Sequence, residues 1–425
     1  VSADEPKPPP ESTPVEAEAP EVAAEQTAEE PTAPAGPEPV VTPRTAEASA
    51  SPEPAVPDVE VAEAAPSEKT DDAEADAGEE TKWYDDVSLG VFADAYGSIN
   101  YNFPVPQGGT NRLRAFDQDN GFSIAWAGLD VAYERPKFGA TVNLRFGTGP
   151  NAGWADDAIP GIQHVKQAYV TWKPWKRLAI DLGRFDTIYG AEVSESWMNH
   201  TYTRGFLYNL AQPFWHTGLR VGIEAHEQVH FNILAVNGWG HIVDNNAGKT
   251  FGGQIALSSK NGVVGLAVGY LGGPESDEVD SETGERVPNA NRRARHLADA
   301  VMTIDYKRLS VALNADYIYD DTPSFYGPDQ EWYGGMASAS IRVVDWFYLA
   351  GRGEFLGDPD GFMSGSRNTF LGTGTLTLDF RPVDHLTLRI DGRYDGASRS
   401  IFADGFEGST QHQFTTTVGM VVSNF

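Results

Sequence analysis

The stretch LTLRIDGRY, Leu386 to Tyr394, sets Leu386, Leu388 and Ile390 on one side of the chain and Thr387, Arg389, Asp391 and Arg393 on the other. A period of two is the repeat of a strand with one apolar and one polar face. The preceding run alternates in the same way, with Leu376, Leu378 and Phe380 against Thr375, Thr377 and Asp379. Upstream, Phe347, Leu349 and Phe355 oppose Tyr348, Arg352 and Glu354, and Leu309, Val311, Leu313, Ala315 and Tyr317 oppose Ser310, Asn314 and Asp316.

About sixteen such runs can be placed, beginning near Val87, Gly121, Phe138, Gln163, Leu178, Gly218, Val229, Thr250, Gly262, Arg295, Leu309, Trp332, Trp346, Thr369, His385 and Gln411. Short turns (134–137, 173–177, 258–262, 305–308, 343–345, 381–384) alternate with long loops rich in Gly, Asp, Asn and Pro. Most runs reach about ten residues, which a tilted strand needs to cross a bilayer; soluble-sandwich strands typically stop at about five or six. Tyr and Trp gather near strand ends, as membrane interfaces require (Trp83, Tyr84, Tyr133, Trp172, Trp175, Tyr306, Tyr333, Trp346). The pattern predicts an all-β fold, a transmembrane antiparallel barrel of about 16 strands over residues 83–425, in a bacterial outer membrane.

Residues 1–82 differ in kind. They hold 22 Asp/Glu against four Lys/Arg and 15 of the 28 prolines, and all 47 aromatics lie from Trp83 onward. Such a composition buries too little apolar surface to offset chain entropy, and predicts a disordered acidic, proline-rich tail. The opening VSADEPKPPP has no signal-peptide pattern and reads as a mature N-terminus. A net charge of −30 argues against nucleic acid as a partner. The absence of cysteine removes thiol chemistry and decides no compartment.

One motif points elsewhere. AHEQVHF, Ala225 to Phe231, contains His-Glu-x-x-His, which on a helix would set two zinc ligands, His226 and His230, on one face. The period is two on both sides of it, so Glu227 and Gln228 are expected in a hairpin turn and no metal site is expected. The acidic loop pairs Asp117/Asp119, Asp156/Asp157, Asp320/Asp321 and Asp358/Asp360 could offer oxygens to Ca²⁺, yet none has EF-hand spacing, and solvated turns are the expectation. FGTGPNAG at 146–153 has no following helix or lysine to bind phosphate. No cofactor is expected.

GVFADAYGSINYNFP at 90–104, QAYVTW at 167–172, LAIDLGRFDTIYGAE at 178–192 and AVNGWGHIVDNNAGKT at 235–250 together resemble the OmpL-like β-barrel porins. The resemblance spans Val87 to Phe425 and implies an outer-membrane location and a pore. Phe425 is the expected assembly signal, an aromatic terminus read by the barrel assembly machinery. It falls out of phase with the apolar face of Val418, Met420 and Val422; a bulge near Asn424 would repair this.

Arginine costs about 2–4 kcal/mol on the lipid face at mid-bilayer, so mid-strand charges should face the lumen. The inward phase gives as pore-lining residues Asp94, Tyr96, Arg145, Arg220, Glu224, Asp299, Asp316, Arg342, Arg352, Glu354, Arg389, Asp391, Arg393 and Asp395. Two readings of these charges stand: a basic constriction wall of Arg352, Arg389 and Arg393, or a wet wall in which neighbours neutralise one another. The phase of Arg184 and of FSIAW at 122–126 is undecided. The longest loop, about Thr187 to Pro213, carries Glu192, Glu195, His200 and Arg204 among aromatics. It is expected to fold into the barrel as a constriction loop, its two glutamates facing the arginine wall; the alternative is a flap packed outside.

The reading that follows is a porin for passive diffusion of small hydrophilic solutes or ions, and not an enzyme. The alternatives are a plugged structural barrel anchoring the acidic tail, an outer-membrane hydrolase, or a sheath around a haem carrier. Expected partners are outer-membrane lipid and lipopolysaccharide, a homotrimer, and a periplasmic partner for a tail lying in the periplasm.

Overall fold

The structure, a computed structural model, describes residues 82–105, 111–150, 159–276, 286, 290–323, 327–405 and 408–424. The tail up to residue 81, Asp156, Asp157 and Phe425 lie outside these.

Sixteen strands close into one antiparallel barrel. In chain order they are β1 (Val87–Asn100), β2 (Gly121–Glu134), β3 (Phe138–Phe146), β4 (Val165–Trp175), β5 (Leu178–Asp186), β6 (Trp215–His226), β7 (Val229–Val236), β8 (Thr250–Ser258), β9 (Val264–Pro274), β10 (Ala294–Tyr306), β11 (Leu309–Asp320), β12 (Gln330–Val344), β13 (Phe347–Asp358), β14 (Thr369–Val383), β15 (Leu386–Ala397) and β18 (His412–Ser423). Each pairs with its sequence neighbours, and β1 against β18 closes the ring, Phe92 opposite Ser423 through Asn100 opposite Thr415. Closure leaves no edge, so every strand can satisfy its backbone groups without water. A small hairpin, β16 (Phe402–Asp404) and β17 (Gly408–Thr410), stands apart in the loop before β18.

The alternation decides the two faces. On β18, Val418, Met420 and Val422 are about half exposed on the outer face, whereas Thr415, Thr417 and Val421 are buried inside. The irregular FSIAW run contains a bulge: Asp94 pairs with Trp126 and Ala95 with Ile124, so Ala125 is the extra residue. The bulge turns Trp126 inward and leaves Phe122 and Ile124 outside. Arg184 points inward and is buried over the ring of Trp215, 3.8 Å from its centroid.

His226 ends β6 and Val229 begins β7, with Glu227 and Gln228 as a two-residue turn. Among the described residues, no group of three or more His, Asp or Glu could hold a metal. Five of the acidic loop residues that the structure describes bind the protein itself. Asp117 pairs with Arg114, and Asp320 with Arg295. Asp358 accepts the amides of Gly361, Met363 and Ser364, Asp321 that of Ala294, and Asp360 that of Glu331.

Replacing both His226 and His230 by Ala should leave thermal unfolding of the barrel unchanged and should remove no bound zinc. Elemental analysis and a melting curve on the folded protein check this.

Candidate pore and its inward-folded loop

The segment between β5 and β6 does not pack outside. Its Ser196, Thr201, Tyr202, Thr203, Phe206, Leu207 and Tyr208 are at most 2% exposed, and its hydrogen bonds go to the inner wall. Gly190 N–H donates to Asp299 Oδ2 (3.1 Å) and Ala191 N–H to Asn314 Oδ1 (3.0 Å). Ser196 Oγ and the Tyr202 hydroxyl each donate to Asp94 (2.6 Å). Asp391 accepts Thr203 N–H (2.8 Å) and its hydroxyl (3.0 Å), and Glu354 accepts Phe206 N–H. His200 bridges Ser338 (2.9 Å) and Ser310 (3.0 Å).

Arginines of the wall serve as anchors. Arg389 donates to the carbonyls of Ser196, Asn199, Thr201 and Trp197 while pairing with Asp379 at 2.9 Å. Arg352 pairs with Glu192 (2.7 Å) and Glu354 (2.8 Å), and also donates to Thr201 and the Thr203 carbonyl. Arg393 pairs with Asp395 (2.7 Å) and donates to the Arg204 carbonyl (2.6 Å). Arg204 donates to the carbonyls of Tyr202 and Ser194 within the loop. One guanidinium carries five donors in a rigid fork, which is why single arginines can hold several turns of loop at once.

Of the two readings of the wall, neutralisation by neighbours describes the geometry. Arg352, Arg389 and Arg393 each have a carboxylate partner, and Arg114, from the loop after β1, shares Asp395 at 2.9 Å. The glutamates divide: Glu192 meets the arginine wall as expected, but Glu195 faces Arg145 and Lys166 on β3 and β4. The expectation for Glu195 is therefore corrected. The loop first crosses to the far wall, Gly190 at Asp299 and Glu192 at Arg352, and by Glu195 the chain has turned back to β3 and β4.

The remaining expected residues sort by depth. Tyr96 is buried beside Tyr202, with ring centroids 6.3 Å apart. Asp299 and Asp316 lie opposite one another on β10 and β11, both contacted by the Asn314 amide. Arg220 pairs with Asp181 (2.9 Å), and Glu224 stands across from His230. Arg342 sits at the short-turn rim, largely exposed, 3.9 Å from Asp345, and joins none of the others.

Sequence reasoning missed an apolar plug at the long-loop end. Leu297, Trp332, Leu356 and Leu371 point inward and pack with Phe206 and Leu207 of a short helix, Phe206–Leu210, all at most 1% exposed. The Trp332 indole donates to the Leu210 carbonyl at 2.8 Å. These residues share the inward phase of the pore-lining charges, so a search for apolar residues in that phase would have found them. Lys166, Asp379 and Arg114 were also missed.

Residues 86–423 match the family described as "Putative beta-barrel porin-2, OmpL-like". The chain belongs to this family. It is an outer-membrane porin, a channel for passive diffusion. No curated protein matches its sequence. The porin is similar in structure to an anion-selective porin from Comamonas acidovorans (TM-score 0.53, 11% identity, covering 79% of this chain and 99% of that one). It is also similar to the outer membrane channel DcaP of Acinetobacter baumannii (0.53, 10%, 79% and 96%) and to Pseudomonas putida OprB (0.51, 13%, 80% and 94%). At these identities the likeness is one of fold.

Burial shapes the loop's ionisable groups. Burial alone raises the Glu195 carboxyl, but the charges of Lys166 and Arg145 and their hydrogen bonds overcome it, bringing it to about 2. Burial, with the Arg389 charge, lowers His200 below its ordinary 6.5. Both effects have the same sign. A depressed His200 stays neutral in the docked loop and binds a proton more readily when the loop is free. Glu195 likewise binds its proton only after release. Docking in the porin should therefore weaken as pH falls below 6.5 and lose the Glu195 contribution between 4.5 and about 2.

Trp197 lies against Phe92, with centroids 4.5 Å apart. The fluorescence difference between the porin and its Trp197→Phe variant should show this acid transition, and Glu195→Gln should remove its lower limb. Arg389→Gln should cost about 3–5 kcal/mol, the usual loss when one partner of a buried ion pair is removed, measured by denaturant unfolding of the refolded barrel. At Gly419 a Cβ would run into the buried Tyr202 ring, so Gly419→Ala should displace the loop and lower the melting temperature while leaving the strand content intact.

Proposed function

We propose that the porin is a constricted channel in which the β5–β6 loop sets the width of the lumen. The observation that carries this is Arg389, one wall side chain held by four loop carbonyls. Such a loop narrows the passage along its whole docked length, and its anchors resist displacement by solvent. With the wall arginines paired, selectivity would depend on rims and mouths rather than on an open basic stripe. The reading is transport without catalysis, and lipase and protease assays on the purified barrel are the check.

A second reading has its own support. Asp94, Asp391, Arg393 and Asp395, deep on the wall, are fully buried, as they would be in a plugged barrel that anchors the acidic tail. Single-channel conductance in a planar bilayer separates the two. An open channel whose conductance rises when residues 192–206 are deleted supports the constriction. Unchanged conductance on deletion overturns it, and no conductance from a folded barrel favours the anchor.

We infer a periplasmic tail, a reading supported by the start of β1 and the end of β18 sharing the short-turn end of the barrel, since outer-membrane barrels keep short turns on the periplasmic side. Protease added to intact cells should leave an epitope placed near residue 40 uncut, and should cut it once the outer membrane is permeabilised.

A further inference from the structure

The extracellular mouth holds a cavity of about 420 Å³ between three loops, lined by Arg112, Ser364, Ser366, Ser400, Phe402 and Ser409 among others. Among the described residues, no carboxylate lines it. That is unusual for this chain, which carries 61 acidic against 31 basic residues, and whose neighbouring Arg114 holds two carboxylates. Arg112 makes no ion pair among the described residues; its hydrogen bond goes to the Ser364 carbonyl at 3.0 Å. The hydroxyls of Ser366, Ser400 and Ser409 make no hydrogen bond among the described residues.

A guanidinium with donors to spare and three uncommitted hydroxyls, with no competing acid among the described residues, form a set that donates hydrogen bonds around a positive charge. Its complement is a small anion with several acceptor oxygens. The two walls of the cavity are held from behind. Asp358 fixes the 361–364 turn through backbone amides, and Ile401 and Phe402 are packed into the barrel's apolar plug. The backbone at Arg112 is also tied down, since Gln413 of β18 donates to its carbonyl at 3.1 Å. Arg112 is exposed, so its charge acts on solutes in the mouth and is screened by salt.

We propose that this cavity is a binding site for a small oxyanion of the phosphate or sulfate class, with Arg112 as its charged contact and Ser366, Ser400 and Ser409 as hydroxyl donors. The site captures anionic solutes at the outer mouth, above the constriction. This deepens the channel reading, on which its role in transport rests, but binding can be measured apart from conduction.

The test is calorimetric titration of the detergent-solubilised full chain with inorganic phosphate and with sulfate at low ionic strength, chloride serving as the control. Saturable one-site binding is expected. Loss of one charge-assisted contact in Arg112→Gln should weaken it roughly ten- to hundredfold. The Ser366→Ala/Ser400→Ala pair should weaken it less, and thermal unfolding of both variants should match the parent. Absence of saturable binding, or binding that survives Arg112→Gln unchanged, overturns the site. Binding by a barrel that does not conduct would retain the site and remove the channel reading. Conduction without binding would do the reverse.

Discussion

Everything in this barrel depends on the ladder between β1 and β18. A sheet in lipid cannot leave an edge unpaired, because no water is present to take up its amides and carbonyls. Once the last strand meets the first over Phe92–Asn100, the alternation of every strand acquires an absolute meaning, one face to lipid and one to the lumen. Charges at mid-strand then have a single place to go.

Sending them inward creates the next problem. Arg145, Arg352, Arg389 and Arg393 are enclosed, and an enclosed charge is tolerated only when paired and hydrogen-bonded. The wall supplies part of the answer through Asp379, Asp395 and Glu354. The β5–β6 loop supplies the rest through Glu192, Glu195 and a series of carbonyls. The same contacts satisfy the loop's own backbone, which would otherwise be buried without partners. Wall and loop thus stabilise each other.

The strands were legible because their signal is local. A period of two over about ten residues survives any tertiary context, and the strands begin within three residues of the expected places, Gln163 against Val165 and Gly218 against Trp215 among the larger offsets. The hairpin after His226 was legible for the same reason. The inward phase of Asp94, Arg352 or Asp391 followed from it too. What could not be read was partnership. Glu195 and Glu192 are three residues apart with the same chemistry, yet they meet opposite walls, because their directions depend on the path of a loop that has no period. The apolar plug was obscured by a different cause. Inward residues were expected to be polar throughout, and Leu297, Trp332, Leu356 and Leu371 break that rule where they share an apolar cluster with Phe206 and Leu207.

The loop's anchors also fix an order of events. Ser196 and Arg389 are separated by 193 residues, and Arg204 and Arg393 by 189. Contacts of such long sequence separation form late, because the intervening chain must be closed before they repay its entropy. The loop has no wall to rest on until those distant strands have paired. During insertion it must stay undocked, its apolar helix and its carbonyls exposed, until β13 to β15 are in place. Docking of the loop is therefore a late step in maturation, after the strands it rests on have paired.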